Sequence, residues 1–301
     1  MGKLKRVICW WSGGITSAVA CKIAIDLYGR DACEVLMIDT KNEHEDTYRF
    51  KKDCESWYDL PINVISAVGT ELLGYKVDKI QDVWRRYKSL NVAHGAICSS
   101  DLKRRVREIW QKENEYDAQV FGFEFDKKEF NRSKSIKLNH PKSKGIYPLL
   151  MLAYDKEDCI KIVQEAGIEP PVSYKLGFNN NNCLQTGCVQ GGIGYWQKME
   201  RDFPEKFKKM ADMEHELTEV RGEPVTMLKD QSNDAKKVVK ETGIKWKQYV
   251  FLRKHPDYPG VKCLADMKPQ EVKPLMECNG FCVTNDLNPR NPTEQEINFI
   301  D

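Results

Sequence analysis

The chain has 301 residues, 41% of them hydrophobic, with 47 Lys and Arg against 45 Asp and Glu for a formal net charge of +2. That length and apolar share suit one large domain or two smaller ones with a real core, and near-neutrality excludes a global field drawing the whole molecule to nucleic acid or membrane. No apolar run approaches the roughly 18 residues of a membrane span, and residues 1–10 do not read as a secretory leader, so a soluble, cytoplasmic protein is expected.

Residues 5–10 read as a short apolar strand. It runs into Ser12-Gly13-Gly14 and then an amphipathic helix over about 16–29. The two glycines let the backbone turn sharply and approach a ligand. The helix opens with free N–H groups and the positive end of its dipole, which suits a phosphate. Ser12, Thr16 and Ser17 add hydroxyls at the same point. A second strand over 34–39 completes a βαβ unit and ends in Asp39, placed to accept from a ribose hydroxyl or an adenine amine. Glu45, Asp46 and Thr47 come next at the start of a helix over 45–57, where acids and a hydroxyl act as caps. Strands over 62–65 and 118–122 and helices over 76–90, 100–113 and 155–166 continue the alternation. The pattern predicts a doubly wound, mostly parallel α/β sheet with its ligand at the carboxyl ends of the strands.

Cys98 precedes Lys103, Arg104, Arg105 and Arg107. A helix start lowers a thiol pKa, and four cations in five residues suit an anionic acceptor or a nucleic-acid backbone. After the fourth strand come Gly122, Glu129 and Arg132, the last able to clamp a phosphate. Past Pro170-Pro171 the texture changes to an Asn- and Gly-rich loop over 177–195, then a helix over about 194–219. The division is therefore a nucleotide-binding unit over 1–170 and a smaller, cysteine-containing region over 171–301. Cys9, Cys21, Cys33, Cys54 and Cys159 sit in apolar or helical contexts and read as small buried hydrophobes. Cys98, Cys183, Cys188, Cys278 and Cys282 sit in polar loops and are the chemical candidates. The Cys183–Cys188 spacing is compatible with Zn or an iron–sulfur cluster.

Ser12-Gly13-Gly14-Ile15-Thr16-Ser17 resembles the phosphate loop of the PP-loop ATP pyrophosphatases, which have the adenine nucleotide alpha-hydrolase-like fold. Many members carry Asp where this chain has Thr16. Within that group the chain resembles the phosphoadenosine phosphosulfate reductase branch. The likeness lies in Asp39-Thr40, with Lys41 where that branch has Gly, and in Cys98 with Leu102-Lys103. It extends to Gly122 with Glu129 and Arg132, where Phe123 takes the usual Arg position. It continues in Tyr174–Phe178, Cys183, Cys188, Tyr195-Trp196 and Phe203-Pro204, and in Glu277-Cys278, which lacks the Gly and His found next in a reductase. Proteins that resemble this pattern include DNA phosphorothioation enzymes and tRNA thiolases with a 4Fe–4S cluster.

The resemblance implies ATP with Mg²⁺, bound by Ser12, Gly13, Gly14, Thr16, Ser17, Asp39 and Gly122. It implies Ser12, Ser17, Lys103 and Arg132 in catalysis, and Cys98, Cys183, Cys188 and Cys282 around a 4Fe–4S cluster, or Zn. The implied activity is ATP-dependent adenylation of a nucleic-acid or small-molecule acceptor for sulfur insertion, with a sulfur-donor protein as partner. The alternatives are a thiol-dependent reductase of an adenylyl sulfate and a nucleotide-binding module without turnover.

Overall fold

All four residues of β1 (Val7–Trp10) are buried, as a strand covered on both faces requires. Downstream come β2 (Cys33–Ile38), β3 (Ile62–Ile65), a short antiparallel hairpin of β4 (Asn91–Val92) and β5 (Gly95–Ala96), then β6 (Ala118–Val120) and β7 (Gly145–Ile146). Five of these form one parallel sheet in the order β3-β2-β1-β6-β7. The chain winds outward from β1 to β3, then returns to the other side of β1 for β6 and β7. The reversal leaves a crevice at the carboxyl end of β1, the expected ligand position in a doubly wound sheet. The protein is described here from a computed structural model, which covers residues 4–92, 95–181, 183–273 and 275.

Around the sheet lie α1 (Ile15–Tyr28), α2 (Glu45–Tyr58) and α3 (Ile80–Tyr87). A single turn α4 (Ile97–Ser99) continues through a π-helical stretch, Ser100–Arg105, into α5 (Val106–Glu113). These agree with the expected helices except that α3 is shorter and the 100–113 helix is widened in its first half. The elements not expected include the β4–β5 hairpin, α6 (Lys127–Asn139) and β7. The inward face of α6 is Glu129, Arg132, Ser133 and Ile136, so only one residue of its buried stripe is apolar and no helical periodicity shows.

Next come α7 (Pro148–Leu152), α8 (Lys156–Glu165), α9 (Val172–Lys175), α10 (Ile193–Asp202) and α11 (Pro204–Arg221). The single helix expected over 194–219 is two helices, because Pro204 cannot continue α10 and instead starts α11. A small sheet of β8 (Leu228–Lys229), β9 (Tyr249–Phe251) and β10 (Lys262–Cys263) flanks α12 (Asn233–Thr242). The apolar core does not break near residue 171. One buried group joins Ala67, Val83, Trp84 and Leu102 to Phe178, Trp196, Phe207 and Val250. Cys9, Cys21, Cys33, Cys54 and Cys159 are buried in the core under α1, as their apolar contexts indicate.

Gly122 fixes how closely the chain leaving β6 approaches α1. A Cβ there would stand 2.5 Å from the Ser17 Cα and 2.6 Å from its backbone nitrogen. Backbone cannot yield as a flexible side chain can. The expected result of Gly122→Ala is a loss of about 1–3 kcal/mol of unfolding free energy, read by urea denaturation, together with weakened nucleotide binding. An unchanged denaturation midpoint would refute the close approach.

Glu214 on α11 is fully buried and accepts from the backbone N–H groups of Met227 (2.9 Å) and Leu252 (2.6 Å), fastening the small sheet to the helix. Burial pushes its carboxyl up to about 8, outweighing those two donors. Its contribution to stability is therefore complete below the ordinary glutamate value of 4.5 and is lost as pH rises through about 8. Relative to Glu214→Gln, the wild-type unfolding free energy should fall across that window by on the order of a few kcal/mol. Parallel pH profiles for the two proteins would show that Glu214 does not titrate there.

Candidate nucleotide and thiol site

The turn after β1 has the geometry a phosphate loop needs. Gly13 sits at φ +89°, in the left-handed region that favours glycine. A Cβ there would stand 2.9 Å from Thr47 Cγ2. Gly14 is the N-cap of α1 and provides no side-chain cap, and the first turn carries no acid, so the positive helix end is left for an anion. The Ser17 hydroxyl closes the turn: it accepts from the Ser12 backbone N–H at 3.0 Å, lies 3.0 Å from the Ser12 hydroxyl and donates to the Gly14 carbonyl at 2.8 Å. Thr16 and Ser17 are both buried, while Ser12 is half-buried.

The loop is covered from the far side of the chain. The buried Asn181 amide donates to the Gly13 carbonyl (2.8 Å) and to the Thr47 hydroxyl (3.0 Å). The Ile15 N–H donates to the Tyr174 hydroxyl at 3.3 Å. Thr47, expected only as a cap, thus also forms the floor under Gly13. The cap itself is His44, whose Nδ1 accepts from the Asp46 N–H at 3.1 Å.

Asp39 lies at the tip of β2 as expected, buried, but its carboxylate is already engaged. The Tyr48 hydroxyl donates to it at 3.0 Å, the Lys41 N–H at 2.7 Å and the Lys41 ammonium lies 2.9 Å away. Burial, then the carboxylate of Asp39, pushes the Tyr48 hydroxyl up, so it stays a donor. Lys41 occupies the position where the related branch has Gly, and its φ of +55° is the left-handed conformation that glycine adopts freely. The ammonium on Asp39 accompanies that strain.

Cys98, Cys183 and Cys188 line one small cavity with Thr40, Trp84 and Lys103. Residues 85 and 90 positions apart from Cys98 in sequence thus meet at the carboxyl edge of β2. The cavity holds about 20 Å³, room for roughly one water. Burial pushes Cys98 up to about 12, with the neighbouring Cys183 adding to it. Cys183 rises to about 11, through burial and then the Glu43 carboxylate, and Cys188 rises further, through burial and then Cys183. Lys103 lowers all three, as a lesser influence. The expectation that the helix start would depress Cys98 is overturned: loss of water on burial outweighs the helix start. Among the described residues no group of three or more His, Cys, Asp or Glu side chains is placed to hold a metal ion. Cys278 and Cys282 lie outside the described residues.

Lys103 does not join a common basic face with its neighbours. Its ammonium points to Glu43 at 3.3 Å, and both side chains are nearly enclosed. The Thr40 hydroxyl donates to the same carboxylate at 3.2 Å. Arg104 lies 3.9 Å from Glu108, Arg105 donates to the Leu73 carbonyl, and Arg107 is buried. Helical rotation and the π-helical stretch send the four cations in different directions. Arg132 is buried, 3.2 Å from Glu129, with its guanidinium 4.6 Å from the centre of the Phe123 ring. Phe123 at the usual Arg position therefore becomes the surface on which the second arginine stacks.

Sequence reasoning missed Glu43, Trp84, Tyr174 and Asn181 as parts of the site. The Asn179–Asn182 run was the available signal, since a buried asparagine in a loop must satisfy its amide somewhere.

The phosphoadenosine phosphosulfate reductase domain matches residues 6–156, half of the chain, spanning the phosphate loop, Asp39, Cys98, Lys103 and Arg132. No curated protein matches the sequence. Among solved structures, a phosphoadenylyl-sulfate reductase from Candida auris in its phosphate complex aligns over 60% of this chain and 81% of its own, at 14% identity and a TM-score of 0.43. The U34-tRNA thiolase NcsA from Methanococcus maripaludis, with its [4Fe-4S] cluster, aligns over 79% of this chain and 81% of its own, at 15% identity and a TM-score of 0.34. On the match over residues 6–156, the chain belongs to the phosphoadenosine phosphosulfate reductase domain family.

Proposed function

We propose that the protein is an ATP-dependent, AMP- and pyrophosphate-forming sulfur-handling enzyme that activates an acceptor for sulfur insertion. The observation that carries this reading is the meeting of Cys98, Cys183 and Cys188 around one cavity at the sheet edge that also bears the Ser12–Ser17 loop. An acceptor carbonyl oxygen would attack the α-phosphorus of ATP and release pyrophosphate. Sulfur at the hydrosulfide level would then add at that carbon and displace AMP, with no net oxidation. The backbone N–H groups at Gly13 and Gly14 and the hydroxyls of Ser12 and Ser17 would stabilise the charge growing on the pyrophosphate. Mg²⁺ would arrive on the ATP, because the loop offers hydroxyls and no carboxylate.

Soft thiolates suit iron or zinc, but these three surround a space for one water and are not placed on a common metal. The described arrangement does not fit a cluster, and no step is routed through one. The cavity instead offers a small thiol-lined pocket beside Lys103 and Glu43.

The family also favours a second reading, a thiol-dependent reductase of an adenylyl sulfate. Against it stand Phe123 at the usual Arg position and Glu277-Cys278 without the Gly and His found next in a reductase. The two activities separate cleanly in one assay. The protein with ATP should form AMP and pyrophosphate, and Gly13→Val should abolish this by driving a branched side chain into Thr47. Sulfite release from an adenylyl sulfate, without pyrophosphate from ATP, would establish the reductase instead.

The thiol electrostatics give a further expected result. Lys103→Gln should move the pH profile of thiol alkylation upward. Glu43→Gln should move the Cys183 profile downward, since the carboxylate raises that thiol. Shifts of the same sign, with peptide mapping assigning the alkylated sites, would refute this charge arrangement.

A further inference from the structure

The basic surface of this protein is not where the sequence concentrates Arg104, Arg105 and Arg107. It lies on α6 and the turn after it. Residues 127–144 hold six lysines and one arginine against a single carboxylate, Glu129. The whole chain nets only +2, so the rest of the molecule is net acidic.

The fold divides that segment by face. The inward stripe, Glu129, Arg132, Ser133 and Ile136, contains the one carboxylate, paired there with the one arginine. The outward stripe keeps the lysines. Lys127, Lys128, Lys142 and Lys144 are exposed, and Lys134 is half-buried. Among the described residues none of these five has an ion-pair partner. Carboxylates around the stripe are engaged elsewhere: Asp126 caps α6 through the Glu129 N–H, Glu124 lies 3.4 Å from Lys156, and Asp117 accepts from the Lys5 and Arg6 N–H groups; Asp117 also interacts with the charge of Lys144, whose ammonium donates to the Tyr116 carbonyl at 3.2 Å. Phe130, also exposed on this stripe, has the Lys134 ammonium 4.4 Å from its ring centre.

The direction of α6 matters. It starts after the carboxyl end of β6, on the edge that bears the phosphate loop, and ends before the amino end of β7. Its 13 residues span about 20 Å at 1.5 Å each. At its far end opens a cleft of about 360 Å³ lined by Arg107, Tyr116, His140 and Lys142. Arg107 is the one member of its own basic run to reach this cleft. Glu108 also lines it, turned toward Arg104 at 3.9 Å.

We infer that this stripe and cleft dock the sugar–phosphate backbone of a nucleic acid. A row of uncompensated lysines about 20 Å long matches about six phosphates of one strand at 3.4 Å each. An exposed ring among them offers a stacking platform for an unpaired base. The stripe leads from the cleft to the nucleotide edge, so the docked strand would run toward the activating site. Docking by this face supplies the acceptor class for the proposed sulfur insertion, and it rests on that reading only for the chemistry after the strand is bound.

The test is fluorescence anisotropy with the full chain, without ATP, using a labelled single strand of about 20 nucleotides and the matching duplex. Both should bind, more weakly as salt rises. The variant Lys127→Gln/Lys128→Gln/Lys134→Gln/Lys142→Gln should bind the single strand at least about tenfold more weakly near 0.1 M salt. Its slope of log affinity against log salt should flatten by about 3, at about 0.7 per phosphate contact. Phe130→Ala should weaken the single strand by about tenfold and leave the duplex nearly unchanged. Lys236→Gln/Lys237→Gln/Lys240→Gln on α12 should change neither. No wild-type binding, an unaltered slope in the quadruple variant, or equal loss in the α12 variant would overturn the inference. So would binding to phosphatidylserine–phosphatidylcholine vesicles in place of the oligonucleotides. Because ATP is absent, failure here and failure of pyrophosphate formation are separate results.

Discussion

The Asn181 side chain holds the site together. Its buried amide donates to the Gly13 carbonyl and the Thr47 hydroxyl, and its oxygen accepts from the Ser173 hydroxyl at 2.9 Å. One side chain from the Asn-rich loop thereby ties the phosphate loop, the first turn of α2 and the start of α9. Losing it would leave a buried carbonyl and hydroxyl short of partners, at about 1–3 kcal/mol for such a group. The attachment continues along the loop. Gln185 N–H donates to the Asn42 carbonyl, the Asn42 amide to the Thr186 hydroxyl (2.8 Å), and the Lys206 ammonium to the Leu184 carbonyl (2.7 Å). Cys183 and Cys188 are carried on this fastened segment, so their position beside Cys98 depends on polar contacts as much as on the apolar core.

That core explains why the thiols are buried. Trp84, Trp196 and Tyr195 pack around the cysteine loop, and the Cys188 N–H donates to the Tyr195 hydroxyl at 3.0 Å. Excluding water penalises every thiolate, and three thiols together penalise one another. Of the enclosed pair beside them, Lys103 opposes that penalty while Glu43 adds to it at Cys183, and burying such a pair carries a desolvation penalty of its own. The pair spans the π-helical stretch and the β2–α2 loop, which also carries Lys41 and Asp39.

Charge is segregated as well as balanced. Acidic and basic residues nearly cancel over the chain, yet α6 turns its one carboxylate inward and its lysines outward. The periodicity of a helix performs this sorting, because residues three and four apart share a face. Net charge is blind to it.

Much was legible in the sequence because it depends on local chemistry. β1, the Ser-Gly-Gly turn and α1 form where an apolar run, two glycines and a helical stretch place them, although α1 is buried all round from Ile15 to Cys21 and not amphipathic there. β2 and β3 come from apolar runs, α2 from its acids and hydroxyl, and the buried cysteines of α1 and α2 from their neighbours. The parallel sheet was readable from the alternation of strands and helices, and family membership from the motifs strung along it. What only the tertiary structure decided depends on contacts between distant residues. The break at Phe203-Pro204 was readable but unread, whereas α6 had no apolar stripe to read. The engagement of Asp39 by Tyr48 and Lys41, the stacking of Arg132 on Phe123 and the division of the 103–107 cations needed side-chain directions. The rise of the Cys98 thiol needed its burial, which a Trp from α3 and a loop 85 residues downstream supply. Sequence determines which groups are present; a pKa, a face or a shared cavity depends on what the fold places beside them.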